Sequence, residues 1–326
     1  DAGLRSPDKL ECADDGLISI QEDRSTVESV PRDQVNSDTE FPDAFGGTTR
    51  EEASIWRLDP ESGALTRVAQ MNRDAVPEGQ TDTDPDDLGD WESSGIIDVS
   101  NLFGEQPGQL FLFDVQAHSL NEGPIESGNL VQGGQLSFLE NPLVPFPAVS
   151  LSPEEPFDTE SPAQMEGLNG YVVDPVFTVG ESFTNPAGET YTPPGILDGL
   201  GAFALDEDTV RVLANHEFRS EVGYAYQLAN GTFLTGARVS YFDINKETRQ
   251  LEGTGLAYER IINRGGEEVD SPDDLEFGGL NRLCSAQYIE AGQFEGRGLV
   301  DSMFFTGEET GGGSEFVLNP ADNTLY

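Results

Sequence analysis

The chain is expected to be an all-β protein, and three observations carry that expectation. Helical periodicity is nearly absent from its 326 residues. Short apolar or alternating runs follow one another, separated at close spacing by Gly, Pro, Asn and Asp, as in a sandwich, barrel or propeller. A unit of strand, aspartate- or asparagine-bearing turn and returning strand also recurs four times, which is how β-propeller blades look in sequence. The strand supply, roughly 16–20, is enough for about five blades of four strands, and the expectation is a propeller of five or six blades. Its ring would close by pairing of the terminal strands, either the chain's own or those of a neighbouring copy.

Taken in order, Leu10–Ile20 forms the first hairpin, turning at Asp14-Asp15-Gly16. Ile55–Ala69 repeats it around Asp59–Gly63, Ala237–Leu251 around Asp243–Thr248, and Glu315–Tyr326 around NPADN. Trp91–Phe103 and Leu110–Leu120 are the most apolar strand candidates of the first half. Asn141–Gly167 is rich in proline and acids and lacks periodicity, so it reads as a linker or excursion. The expected organisation is therefore a first propeller half over residues 1–140, a linker over 141–167 and a second half over 168–326. In that second half Leu200–Glu217 is a hairpin closed at Asp206–Asp208, whose return strand delivers Asn215, His216 and Glu217. Leu283–Ile289 puts Cys284 in another strand, and Met303–Phe305 leads to Glu308 and Glu309.

Charge excludes whole classes of partner. There are 61 acidic residues against 17 basic ones, a net charge of −44. Such a surface repels nucleic acid and anionic membranes and suits multivalent cations or a saline, marine-type medium. No apolar run approaches the roughly 18 residues of a spanning helix. A chain opening at Asp1 reads as a processed form, so secretion or a periplasmic location is expected. Asn230-Gly-Thr232 is an N-glycosylation-type sequon. Cys12 and Cys284, the two cysteines, leave a single disulfide, separate ligation and inert thiols all open.

Polar groups of metal-ligand type gather at four strand ends: Asp8 and Glu11 with Glu22 and Asp23; Asn215-His216-Glu217; Cys284; and Glu308-Glu309. In a propeller such ends converge on one channel, so acids distant in sequence can share an ion. Oxygen-only groups suit calcium or magnesium, whereas a thiolate among carboxylates suits a transition metal such as iron. Asp82, Asp84 and Asp86 resemble the start of a calcium loop, but Asp87 replaces the required glycine. A solvated loop is the expectation there, and a structural role is the expectation for His118. No Ser-His-Asp order, P-loop, HExxH or CxxC pattern is present.

The segments VRVLANHE, GARVSYFDINKETRQ, NRLCSAQ, MFFTGEETGG and RSPDKLECADDGLISIQEDRS resemble the PhoX-type alkaline phosphatase family. That resemblance implies a secreted six-bladed propeller that cleaves phosphomonoesters with a calcium and iron cluster. It further implies that Glu217 is a calcium ligand, Cys284 the iron-binding thiolate and Glu308 and Glu309 bridging carboxylates. Asp8 and Glu22 or Asp23 would be acids from a late blade, and Arg24 and Arg282, beside these motifs, would contact phosphate. The motif order departs from the family: the piece expected late opens this chain, and the early pieces close it. A permuted closed ring fits that order. So does a chain that completes a neighbour's propeller head to tail, which would give a fibre. Two functions follow, a metal-dependent phosphomonoesterase or a non-catalytic, calcium-stiffened propeller that assembles with copies of itself.

Overall fold

The computed structural model describes residues 4, 7–22, 52–85, 89–141, 159–185, 188–294 and 296–326. They divide into two compact units, residues 1–125 with 132–179 and residues 126–131 with 180–326. Both are built almost wholly of antiparallel strands. Among the described residues no helix is long and apolar enough to cross a membrane. Asp23, Arg24 and Asp86 lie outside the described residues.

The first unit contains β1 (Pro7–Cys12), β2 (Ile18–Glu22), β3 (Ser54–Leu58), β4 (Leu65–Met71), β5 (Trp91–Asp98), β6 (Leu110–Ala117), β7 (Gly133–Glu140), β8 (Met165–Gly167) and β9 (Val172–Thr178). They form two sheets, ordered β1-β2-β3-β4-β8 and β5-β6-β7-β9. The second unit contains β10 (Phe183–Thr184), β11 (Thr190–Tyr191), β12 (Leu197–Ala204), β13 (Thr209–His216), β14 (Tyr226–Gln227), β15 (Phe233–Leu234), β16 (Arg238–Asn245), β17 (Leu251–Leu256), β18 (Arg260–Ile261), β19 (Leu283–Ile289), β20 (Met303–Glu308), β21 (Glu315–Asn319) and β22 (Thr324–Leu325). Its main sheets run β12-β13-β16-β17 and β18-β22-β21-β20-β19, with β10-β11 and β14-β15 as separate ribbons.

Every hairpin read from turn chemistry is present. Gly16 at φ 84° and Gly63 at φ 72° close the β1–β2 and β3–β4 turns in the left-handed region, where a side chain is strained. Asp59 also caps its own turn by accepting from the amides of Glu61 and Ser62. The Asp82 loop is fixed by an ion pair at 2.8 Å to Arg73 and by an Asp84 amide on Asp82. His118 is structural, held between Gln132 at 2.7 Å and Glu92 at 3.0 Å.

The four main sheets share one construction. In each, one strand (β1, β5, β12 or β19) carries the register shift of a β-bulge near its start, so that two of its residues face one on the strand that follows it. Asp8 and Lys9 face Gln21, and Ser94 and Gly95 face Asp114. Asp198 and Gly199 face Asn215, and Cys284 and Ser285 face Gly307. Apolar residues fill the space within each unit. Ile55, Val68, Trp91, Phe111 and Phe113 lie in one core, and Leu213, Val239, Ile261, Leu283, Phe304 and Leu318 in the other.

One expectation is corrected here. Closure by the terminal strands would leave β22 for the N-terminal strand or a neighbour to cover. Instead β18 pairs with β22 in parallel, Arg260 beside Thr324 and Ile261 beside Leu325, and covers it within the same unit.

Candidate metal centre

In the second unit three ligand-type side chains converge. One ligand atom each from Asp198, Glu217 and Cys284 lies within 4.8 Å of the other two. Metal–ligand bonds of about 2.0–2.3 Å keep any two ligands of one ion within about 4.6 Å of each other, so the spacing suits a single shared ion. Asp198 is buried and the other two are partly buried.

Backbone construction brings them there. The bulge in β12 turns Asp198 out of the regular alternation, and the bulge in β19 does the same for Cys284. Bulges re-aim side chains in this way and favour functional sites. Gly199 allows β12 to approach β19, because a Cβ there would run into the Cys284 carbonyl and the Ala286 amide. Asn215, fully buried in β13, ties the sheets together: its amide donates to the Cys284 carbonyl at 2.6 Å and to Thr306 Oγ1 at 2.8 Å. Glu217 follows β13 directly, its amide donating to the Ile196 carbonyl at 2.8 Å.

Electrostatics make the group receptive to a cation. Burial first, and then the neighbouring Asp198, push the Glu217 carboxyl above its ordinary range, while Arg282 acts in the opposite direction. Two like charges at about 4–5 Å repel by roughly 3–4 kcal/mol at an effective dielectric of 20, which a bound divalent cation would reverse. Two carboxylates and a thiol form a donor set for a transition metal rather than for calcium alone.

Arg282 borders the group. Its Nε and Nη2 donate to Glu217 Oε1 at 3.0 and 2.6 Å, and Nη2 also donates to Glu309 Oε2 at 2.5 Å. The residue sits at φ 48°, a left-handed conformation uncommon outside glycine and asparagine. Its backbone is pinned on both sides, the amide donating to Phe218 O and the carbonyl accepting from the Glu309 amide, each at 2.8 Å.

The remaining candidate residues occupy other surroundings. Glu308 accepts from the amides of Asn281 at 2.8 Å and Ser314 at 2.9 Å, and lines a cavity of about 440 Å³ with Arg264, Glu276 and Tyr326. His216 is buried, with Nδ1 on Gly195 O at 3.1 Å and Nε2 on Ser240 Oγ at 2.6 Å. Burial draws its pKa down to about 3, so it is a neutral anchor for the strand that carries Glu217. In the first unit Asp8 is exposed and paired with Lys9 at 3.3 Å, and Glu22 is buried at the end of β2. Glu11 receives the Asp98 amide at 3.3 Å, and burial raises its pKa to about 7. Cys12 is exposed, and neither it nor Cys284 is in a disulfide.

Asp198 is the member that sequence reading missed. Its local sequence, LDGLG, resembles a weak strand with a turn signal. An aspartate-glycine pair inside an otherwise apolar strand was the available sign of a bulge. Comparisons with protein-family models, curated proteins and solved structures return no match, so the centre is read from its own geometry.

Proposed function

We propose that the chain is a metal-dependent phosphomonoesterase built on a β-propeller, with its metal centre at Asp198, Glu217 and Cys284. The observation that carries the proposal is the convergence of two carboxylates and a thiol, drawn from two sheets, within 4.8 Å. A transition metal held there, iron by the softness of the thiolate, would supply Lewis-acid charge for phosphate oxygens and for the charge developed on phosphoryl transfer. Asp198 and Glu217 would offer hard oxygen ligands, and Cys284 its deprotonated sulfur. Arg282 lies beside them with a side chain 43% exposed, and would be the group that orients an oxyanion once metal is bound.

The propeller reading draws support from the four antiparallel meanders of matching register, since propellers repeat four-stranded blades around an axis. The alternative, a calcium-stiffened propeller joining copies head to tail, rests on the permuted motif order and on a C-terminal strand left for a neighbour to cover. β18 occupies that edge, which takes away the second of these two supports.

The test is metal analysis of purified protein together with hydrolysis of p-nitrophenyl phosphate. Bound iron, activity, and loss of both in Cys284→Ala are expected. Protein that takes up no transition metal and hydrolyses nothing would overturn the proposal.

A further inference from the structure

Arg282 holds a contradictory position if the centre is to receive a phosphate-type anion. Glu217 and Glu309 face one guanidinium, Asp198 lies beside Glu217, so carboxylates outnumber the one cation at the site, and the chain as a whole is strongly acidic. An oxyanion approaching that surface is repelled. The guanidinium is also engaged, because its Nε–Nη2 edge is spent on Glu217 and its Nη2 on Glu309. That edge is the planar pair of donors that matches a tetrahedral oxyanion.

Glu217 belongs to both arrangements, as a partner of Arg282 and as a member of the metal-type group. A divalent cation and the guanidinium therefore compete for the same carboxylate. The backbone keeps Arg282 in place whichever wins. Its left-handed φ of 48° is held from both sides by the Phe218 carbonyl and the Glu309 amide. Strain maintained this way at the mouth of a site is a sign of pre-organisation.

We infer that Arg282 is an oxyanion-binding residue kept in reserve by Glu217 and released when a cation takes that carboxylate, so that metal and phosphate bind cooperatively. The inference rests on the metal centre proposed above. By linkage, phosphate must tighten the metal by the same factor as the metal tightens phosphate. Glu309 then serves as the second anchor, limiting how far the released side chain swings.

The test uses cobalt(II) as the metal probe, its thiolate charge-transfer band reporting ligation by Cys284, titrated into the whole chain with and without inorganic phosphate. Wild-type protein should bind phosphate poorly without metal. Phosphate should tighten cobalt roughly tenfold, within the usual range of coupling between sites. In Arg282→Ala the phosphate effect should vanish while cobalt alone binds several-fold tighter, because Glu217 is no longer shared. A merely structural arginine would give the opposite, weaker cobalt binding in Arg282→Ala. Should that variant misfold, Glu309→Gln keeps the guanidinium in place and should retain the phosphate effect. Equal phosphate binding with and without cobalt, or a phosphate effect surviving in Arg282→Ala, overturns the inference while leaving the metal centre standing. Absence of any thiolate band in the wild type contradicts the metal centre and this inference with it.

Discussion

Each unit holds two sheets with a strand that bulges near its start, yet the two units place different chemistry on that scaffold. In the second unit the leading bulge residues are Asp198 and Cys284, and the residue beyond β13 is Glu217. In the first unit the leading bulge residues are Asp8 and Ser94, and the position matching Glu217, two residues beyond Gln21, lies outside the described residues. Even the stitching is shared: Gln21 donates to the Gly95 carbonyl at 3.1 Å, as Asn215 does to that of Cys284. A serine in the place of the thiol and a solvent-exposed aspartate leave the first unit without such a group among its described residues. The difference shows that the bulge is the scaffold and that function depends on which side chains occupy a few fixed positions.

The comparison can be broken most directly by making the second unit resemble the first. Cys284→Ser gives it the serine found at position 94 and should weaken a thiophilic metal by more than about 100-fold, since even outer-shell partners of a metal are worth 10–100-fold. A metal titration checks this. Gly199→Ala should cost about 3 kcal/mol by overpacking, because the new methyl meets backbone of β19 rather than a yielding side chain. The matching position of the β1 bulge is Lys9, so that bulge forms without a glycine. Denaturant unfolding measures the loss.

Asn215→Ala should cost about 2 kcal/mol, as it leaves Thr306 and the Cys284 carbonyl without their shared donor. The matching Gln21→Ala should cost about half as much, since one such bond is lost. The smallest effect belongs to Glu11, whose pKa is raised to about 7 by burial. A raised carboxyl destabilises the folded state once it ionises: the penalty is absent below about pH 4.5 and grows as pH rises through 7. Glu11→Gln should therefore raise stability by on the order of 1 kcal/mol above pH 7 and leave it unchanged at pH 4. Thermal melts across that range will show it.

Much of the fold was legible because hairpins are local. The Asp-Asp-Gly and Asp-Pro-Glu-Ser-Gly turns state their own geometry, and the runs on either side become β1–β4 as read. Pairings between distant segments were not legible. Nothing local to Arg260–Ile261 says that it will lie parallel to Thr324–Leu325. Likewise Glu217 and Cys284 could be picked out by residue type and position at a strand end. Asp198 could not, since its role depends on a one-residue register shift and on Gly199 admitting the neighbouring strand. Glu308 and Glu309 looked alike in sequence, but β20 ends at Glu308 and Glu309 follows it, so one meets backbone amides and the other Arg282.

The central claim is that one ion is held by a thiolate and two carboxylates in the second unit. X-ray absorption on protein loaded anaerobically with ferrous iron tests it most directly. The account expects one sulfur scatterer among oxygens, which disappears in Cys284→Ser. A shell of oxygen alone in the wild type would contradict it.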